Sequence, residues 1–220
     1  MTSQQPVCLI MGAGPGNGMA IARRFGREDF TVILMARSST NLQSMAEELT
    51  AANITTDTLA TDVGDQAMLR ANLQTVITRW GTPRVLVFNA VGVHPDAPSQ
   101  LTPDDLLADL QIGVLGALVA TQSVLPLMQA ANQGSILYTG GGAALGPATT
   151  YTTLSICKAA LRNYLLSLAA ELQGSPIRVG TVTIAMTVRP GTQTPDDIAD
   201  RFWQLHTGAI AGPEIRYPSV

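Results

Sequence analysis

The strongest constraint on the fold of this chain is the alternation of short apolar runs with longer helical patterns. Six runs have the length of strands, at residues 7–11, 31–36, 56–62, 84–90, 134–141 and 177–185. Residues 214–218 could add a closing strand. Since helical crossovers return each strand parallel to the last, the order predicts an α/β fold with a doubly wound parallel sheet flanked by helices on both faces.

Three helix starts carry capping residues. Ser39 or Thr40 precedes one helix, Thr102 with Pro103 precedes another, and Thr194 precedes the last. A side-chain oxygen there accepts a free N–H, and proline at the first helical position loses no hydrogen bond. We expect these helices over 41–52, from 103 to about 129, and over 197–206, with a further long helix over 150–172.

Length and composition favour one domain over residues 1–220. Hydrophobic residues make up 46% of the chain and charged residues 13%, so most helices must be buried on more than one face. The nearly apolar helices at 104–130 and 150–172 therefore predict either deep burial in a monomer or packing against a second subunit.

Several classes of partner are not expected. The net charge is −3 and no basic cluster is present, which disfavours nucleic acid. The chain has neither an uninterrupted apolar run of about 18 residues nor a charged-then-apolar leader, so we expect a cytoplasmic protein without membrane contact. Cys8 and Cys157 are interpreted as buried thiols.

A glycine-rich segment, GAGPGNG at residues 12–18, lies between the first strand and the first helix. Gly12, Gly16 and Gly18 follow a G-x-x-x-G-x-G spacing, and Gly14 adds a fourth glycine. Glycines here let the chain turn tightly and bring backbone N–H groups close to a pyrophosphate. The segment predicts a nucleotide-binding loop.

This loop resembles the T-G-x-x-x-G-x-G fingerprint of the short-chain dehydrogenase/reductase family, with Met11 in the threonine position. Asp62-Val63 resembles that family's contact to adenine, and FNAVG at residues 88–92 resembles its N-N-A-G strand end. The segments occur in the family's order across residues 6–190. The resemblance implies a Rossmann-type fold, a dinucleotide cofactor, and a homodimer or homotetramer.

The end of the second strand indicates which dinucleotide is bound. An acidic residue there would bind the ribose 2′-hydroxyl of NAD, whereas a cation accommodates the 2′-phosphate of NADP. The sequence has Arg37 followed by Ser38, and both can donate to a phosphate. We therefore expect NADP(H).

After the sixth strand the family's Pro-Gly is replaced by Ile184-Ala185, and Thr187 and Val188 become the expected contacts to the nicotinamide carboxamide. The expected cofactor-binding residues are Gly12, Gly14, Gly16, Asn17, Gly18, Met19, Arg37, Ser38, Asp62, Val63, Asn89, Ala90, Lys158 and Thr187.

The catalytic positions depart from the commonest members of the family, which carry Tyr-x-x-x-Lys with a serine and an asparagine. Lys158, followed by AAL, fits the lysine, but Leu154 stands at the tyrosine position. The serine position falls on Gly140–Gly142, and the asparagine position falls on Gly113. By this pattern three of the four catalytic groups are missing.

The family's divergent branch, which includes enoyl-acyl-carrier-protein reductases, carries Tyr-x-x-Met-x-x-x-Lys, and Tyr151, Leu154 and Lys158 resemble that pattern. Seven helical steps return a side chain to within ~20° of the same face, about 10 Å along the axis. This resemblance implies that Tyr151 hydrogen-bonds a substrate carbonyl while Lys158 holds the nicotinamide ribose. Alternatively, Tyr151 is an ordinary residue at the start of a helix.

Other candidate groups are weaker. His94 follows the fourth strand and either lines the substrate pocket or faces solvent, and His206 is expected at the surface. Tyr138 and Thr139 could act as donors, and Gly140–Gly142 could offer N–H groups to an oxyanion or simply make room for substrate. With no Cys/His cluster, no metal site is predicted.

These features lead to one main hypothesis, an NADP(H)-dependent oxidoreductase that transfers hydride to a small carbonyl or enoyl substrate. A regulatory or scaffold protein that binds NADP(H) without turnover is the alternative. An isomerase or lyase without net redox change is a third.

Overall fold

A computed structural model describes residues 5–218, and its strands form one sheet of seven parallel strands in the order β3-β2-β1-β4-β5-β6-β7. The strands are β1 Val7–Met11, β2 Thr31–Ala36, β3 Thr56–Ala60, β4 Val85–Phe88, β5 Gly134–Gly141, β6 Ile177–Ile184 and β7 Glu214–Tyr217. The predicted doubly wound parallel sheet is confirmed. The strand order reverses between β1 and β4, which creates a crevice at the carboxyl ends of these strands.

The helices are α1 Asn17–Gly26, α2 Ser39–Ala51, α3 Gln66–Trp80, α4 Pro103–Leu110, α5 Gly116–Ala130, α6 Thr152–Glu171 and α7 Thr194–Thr207. Helices α3, α5 and α6 contribute to the apolar core on one face of the sheet. Helices α1, α2 and α7 contribute to the core on the other face. Alternate strand residues enter the two cores, which explains why the central strands are apolar at every position.

Two helix starts differ from the sequence prediction. The cap of α2 is Ser38, whose Oγ accepts the Asn41 N–H at 3.2 Å, so Ser39 and Thr40 already lie inside the helix. Helix α7 begins at Thr194 itself, after Gln193, and no side chain caps it. The prediction for Thr102 is confirmed, because its Oγ1 accepts the Asp105 N–H at 3.1 Å and Pro103 opens α4.

A π-helical turn, Gln111–Leu115, joins α4 to α5 where one uninterrupted helix was predicted. Glycines line this turn and let it pack closely: a Cβ added at Gly116 would lie 3.0 Å from the Val63 carbonyl oxygen. The turn is therefore set by packing between distant segments, which the helical periodicity does not record.

The combined segment Pro103–Ala130 is long and apolar enough to cross a membrane by length and composition alone. Only 39% of its most apolar stretch is buried within the chain's own fold. The expectation that this segment packs against a second subunit stays a prediction.

His206 was expected at the surface, and this expectation is wrong. Its ring packs against Phe25, Phe30 and Trp203, with centroid separations of 5.6, 5.6 and 5.3 Å. Its Nδ1 lies 2.8 Å from Ser135 Oγ. Burial in this aromatic cluster lowers the pKa of His206 to about 4, so the ring is neutral at pH 7. The pattern of α7 alone did not reveal that Phe25 of α1 and Phe30, which precedes β2, pack against the imidazole.

The edge strand β7 is fixed to the rest of the sheet by a charged cluster. Arg162 of α6 forms a bidentate pair with Glu214, at 2.9 and 2.7 Å, and Thr183 Oγ1 donates to the same carboxylate at 2.6 Å. These donors hold the pKa of Glu214 at about 2, below its ordinary value of 4.5. Bidentate pairing with low exposure makes this pair stronger than a surface ion pair.

We predict that Glu214→Gln lowers the free energy of unfolding at pH 7 by about 1–3 kcal/mol, because a charge-assisted pair is lost. Since the folded pKa is depressed, the contribution is complete above the unfolded pKa and disappears as the pH falls toward 2. Urea denaturation between pH 7 and pH 2.5 measures it. Glu48→Gln, which removes an exposed pair with Arg23, is the matched control and should change stability far less. Equal effects of the two substitutions at pH 7 would contradict the prediction.

Candidate active site

Two neighbouring cavities open at the carboxyl edge of the sheet. The first, of about 360 Å³, is named here the Arg37 cavity, and the second, of about 470 Å³, the Lys158 cavity. The Arg37 cavity is lined by Gly12, Ala13, Ala36, Arg37, Ser38, Asn41, Thr61, Asp62, Val63, Asn89, Ala90, Val91 and Ile112. The Lys158 cavity is lined by Gly141, Gly142, Ala143, Leu154, Lys158, Ile184, Ala185, Met186 and Thr187.

The glycine loop has the shape that a phosphate-binding cradle requires. Gly12 has φ of +76°, and a Cβ added there would collide with the Ala90 backbone. At Gly14 an added Cβ would meet no atom within 4 Å, so this glycine leaves the start of α1 open. Asn17 Oδ1 is buried there without a hydrogen-bond partner among the described residues. An anion can therefore approach the first turn of α1 closely.

The structure brings seven of the predicted cofactor residues together around the Arg37 cavity: Gly12, Arg37, Ser38, Asp62, Val63, Asn89 and Ala90. Lys158 and Thr187 lie around the second cavity. Met19 instead is buried beside a separate depression with Arg23 and Met45. Gly18 packs against Ala13, where an added Cβ would lie 3.0 Å from its Cα.

Six residues that line the Arg37 cavity were not among the expected cofactor residues: Ala13, Ala36, Asn41, Thr61, Val91 and Ile112. Asn41 lies in the first turn of α2, one turn after Ser38. The sequence placed the cap of α2 at Ser39 or Thr40 and not at Ser38, so it gave no reason to place Asn41 at the cavity. Thr61 directly precedes the predicted Asp62. Ile112 belongs to the π-helical turn, and no signal in the sequence placed it there.

A chain of hydrogen bonds connects the glycine loop to Lys158. Asn89 Nδ2 donates to the Gly12 carbonyl at 2.7 Å, and Thr139 Oγ1 donates to Asn89 Oδ1 at 2.7 Å. Lys158 Nζ then donates to the Thr139 carbonyl at 2.6 Å. The ends of β1, β4 and β5 and the first half of α6 are thereby held in one arrangement.

Lys158 is the only lysine in the sequence. It is only 8% exposed, and burial lowers its pKa to about 8. Its stem faces Gly141, where an added Cβ would be 3.5 Å from Lys158 Cγ. A desolvated ammonium of this kind loses its proton far more readily than a surface lysine.

The three glycines after Thr139 have different surroundings. Added Cβ atoms at Gly140 would lie 2.7 Å from the hydroxyls of Thr181 and Thr183, and at Gly142 2.9 Å from Ala185 Cα. These two glycines permit close packing against β6 and the segment after it. Gly141 and Gly142 both line the Lys158 cavity, and Gly140 is not part of that lining. The interpretation that these glycines make room for a substrate stays a prediction, and it applies to Gly141 and Gly142 only.

Tyr151 lies outside the lining of the Lys158 cavity, whereas Leu154 is part of it. Tyr151 is the residue before α6, in the non-helical lead-in, and is 43% exposed. Leu154 lines the cavity next to Lys158, at the position where the common pattern has tyrosine. The prediction that Tyr151 acts as a proton donor stays a prediction.

Two other candidate donors make internal hydrogen bonds and line neither cavity. Tyr138 is fully buried, and its hydroxyl lies 2.6 Å from Thr121 Oγ1. Burial raises its pKa above the ordinary value. Thr139 uses its hydroxyl and its carbonyl in the hydrogen-bond chain. Gly113 lies opposite Cys157, with 3.5 Å between an added Cβ and the Cys157 Cβ.

His94 has a partner that the sequence did not reveal. Its Nδ1 lies 2.9 Å from Oδ1 of Asp109, a buried carboxylate of α4, and its backbone N–H donates to Asp109 Oδ2 at 3.1 Å. Hydrogen bonding to Asp109 raises the pKa of His94. The pair joins the loop after β4 to α4, and Thr153 of α6 also hydrogen-bonds the His94 backbone, so the loop contacts the first turn of α6 as well. The sequence places residues 94 and 109 too far apart for this pairing to be predicted.

The sheet order, the glycine loop and the two cavities together define a Rossmann-type α/β protein. A model of the short chain dehydrogenase family matches residues 6–197. The chain therefore belongs to the short-chain dehydrogenase family, an oxidoreductase family.

Curated relatives are reductases and dehydrogenases. The chain is 30% identical to an NADP-dependent 3-hydroxy acid dehydrogenase of Salmonella typhimurium, over 91% of this chain and 89% of that enzyme. It is 34% identical to a very-long-chain 3-oxoacyl-CoA reductase of Aspergillus clavatus, over 79% of this chain but only 51% of the relative. The chain thus spans about half the length of the Aspergillus enzymes that it matches.

Solved structures share the whole fold. A metagenomic short-chain oxidoreductase in complex with NADP superposes with a TM-score of 0.86 at 26% identity, over 98% of both chains. A serine dehydrogenase from Escherichia coli superposes with a TM-score of 0.81 at 25% identity, over 96% of both chains.

We predict that Lys158→Met raises the free energy of unfolding of the protein without nucleotide by about 1–2 kcal/mol at pH 7. Burial of an ammonium without a carboxylate partner is unfavourable, and the lost hydrogen bond to Thr139 offsets part of the gain. Because the folded pKa lies below the unfolded one, wild-type stability should rise as the pH increases from about 8 toward 10.

Urea denaturation at pH 7 and pH 10 measures this difference between wild type and Lys158→Met. The gain should shrink at pH 10, where the native lysine is already neutral. A variant that is less stable than wild type at both pH values would contradict the prediction.

Proposed function

We propose that this protein is an NADP(H)-dependent reductase of a carbonyl or enoyl substrate. The observation that carries the proposal is the hydrogen-bond chain from Gly12 through Asn89 and Thr139 to Lys158. It connects the phosphate cradle with a cavity that contains one desolvated ammonium. A nucleotide that reached from the Arg37 cavity to the Lys158 cavity would cross this chain of hydrogen bonds.

The donor set of the Arg37 cavity fits NADP(H). Arg37, Ser38 and Asn41 offer hydrogen-bond donors to a ribose 2′-phosphate, and no carboxylate stands at the end of β2. Asp62 and Val63 would border the adenine, and the open glycine loop would take the pyrophosphate. When bound, NADPH would supply the hydride. The NADP-dependent relative and the NADP-bound structural neighbour support this choice.

The surroundings of the Lys158 cavity favour an apolar substrate. Leu154, Ile184 and Met186 line it, and Lys158 is its only ionisable lining residue. Exposed apolar side chains lie on the loops at the same edge of the sheet, at Val93, Leu145, Tyr151 and Met186. Exposed groups of this kind at the mouth of a cleft are typical of a binding surface for an apolar ligand.

A second function, NADP(H) binding without turnover, is favoured by one observation. The side chain that faces the cavity one turn before Lys158 is Leu154, which has no proton to give. Under this second proposal the chain binds the nucleotide and reduces nothing.

The test is to titrate the purified protein with NADPH by fluorescence and then follow NADPH absorbance with a panel of ketones, 3-oxoacyl thioesters and 2-enoyl thioesters. We expect micromolar binding and consumption of NADPH with at least one carbonyl or enoyl class. Binding without consumption across the panel would favour the second function. Absence of binding would overturn both.

We predict that Arg37→Asp weakens NADPH binding by at least tenfold relative to NADH, because a carboxylate repels the 2′-phosphate and accepts the 2′-hydroxyl. Dissociation constants for both nucleotides measure the change. Arg27→Asp, an exposed site just beyond α1, is the matched control for net charge. An unchanged NADPH/NADH ratio in Arg37→Asp would refute this assignment.

We predict that kcat/KM rises about two- to fourfold for each added methylene over a series of short straight-chain ketones, as expected for burial of apolar surface. Met186→Ser should flatten this dependence, because Met186 both lines the cavity and is exposed at its mouth. Leu107→Ser, on the exposed side of α4 and outside both cavities, is the control. A chain-length dependence that is flat in the wild type would contradict the apolar assignment.

A further inference from the structure

We propose that Lys158 itself donates the proton that accompanies hydride transfer to the substrate carbonyl. This inference rests on the proposed function and goes beyond it, because it assigns the acid to the lysine and not to Tyr151. In this role Lys158 is a catalytic residue that contacts the reacting oxygen.

The composition of the cavity carries the assignment. Among the residues that line the Lys158 cavity, the lysine is the only one with an ionisable side chain. Leu154 occupies the adjacent position on the same helix face, and Gly141 leaves the lysine stem uncovered on the cavity side. Tyr151 precedes the helix, is 43% exposed and does not belong to this lining.

The ammonium has the protons and the environment for the task. An ammonium offers three N–H donors, and the Thr139 carbonyl takes one at 2.6 Å, which leaves two for a ligand. Within residues 5–218 no carboxylate lies within ion-pair distance of Nζ. Burial lowers the pKa to about 8, close to the working pH that favours a general acid.

The other titratable groups near Lys158 do not compensate for this desolvation. Cys157, its neighbour in α6, has its pKa raised to about 11 by burial and is neutral at pH 7. Asp109 of α4 acts on Cys157 and pairs with His94. The lysine therefore remains a cation at pH 7, but burial makes its deprotonation less costly than that of a surface lysine.

The step balances as follows. NADPH, when bound, would supply the hydride: its dihydronicotinamide C–H bond would break, leaving NADP+, as a new C–H bond forms at the carbonyl carbon and the C=O π pair moves onto oxygen. That oxygen takes a proton from Lys158 Nζ, which leaves a neutral amine. Water restores the proton after product release, so the sum is addition of one hydride and one proton to the carbonyl.

The first test needs no turnover. Because the chain has one lysine, protein labelled with lysine carrying 13C at the ε position gives a single side-chain signal that can be titrated by NMR. We expect an apparent pKa near 8 in the protein without nucleotide. A value near the ordinary 10.5 would overturn the inference.

The second test separates proton donation from charge. Lys158→Arg keeps a cation that cannot be deprotonated at the working pH, and Lys158→Met removes it. We expect both variants to lose at least 100-fold in kcat, while Lys158→Arg keeps the NADPH dissociation constant within about tenfold of wild type. Thermal unfolding of both variants confirms that loss of activity is not loss of fold.

The pH profile completes the comparison. For wild type, kcat/KM for carbonyl reduction should fall above the pKa that NMR measures for the lysine. Two outcomes would overturn the proton-donor assignment and leave the proposed function standing. One is turnover by Lys158→Arg within tenfold of wild type. The other is loss of turnover in Tyr151→Phe while Lys158→Arg remains active. A wild type that binds NADPH and reduces no carbonyl or enoyl would instead overturn the proposed function.

Discussion

The geometry of the cleft depends on the partly buried hydrogen-bond chain from Gly12 to Lys158. Each bond in it joins segments that are far apart in sequence: the ends of β1 and β4, then β5, then α6. Buried polar networks of this kind are stable only when every member is satisfied, because an unpaired buried group costs about 1–3 kcal/mol. The hydrogen-bond chain therefore fixes the position of the phosphate cradle relative to the lysine.

The same network explains why the missing groups of the common catalytic pattern do not leave a disordered site. Thr139 accepts Lys158 through its backbone carbonyl, so the lysine does not need a side chain at Gly140–Gly142 to hold it. Gly140 and Gly142 pack against β6 and the segment that follows it, where larger residues would collide. The site has close packing around one cation where the common pattern has polar side chains. Burial of that cation is unfavourable for stability, and the same burial lowers its pKa.

The fold could be predicted from the sequence because strand periodicity, helix length and the glycine loop all indicate the same arrangement. The clustering of residues around the Arg37 cavity was predictable for the same reason, since Arg37, Asp62 and Asn89 follow strands that end at one edge of the sheet. What the sequence could not provide are the long-range pairings. The His94–Asp109 pair, the π-helical turn and the aromatic surroundings of His206 all depend on contacts between segments with no shared local pattern.

The position of Tyr151 shows where reasoning from helical spacing reaches its limit. Seven residues bring two side chains to the same face only if both lie in the helix. Tyr151 has φ of −134° and ψ of 61°, so it lies before the first helical residue and the angular argument does not apply to it. Leu154 and Lys158, both inside α6, keep the expected relation and line one cavity. The cavity-lining side chain one turn before the lysine is thus apolar, and Lys158 is the only ionisable side chain among the residues that line this cavity.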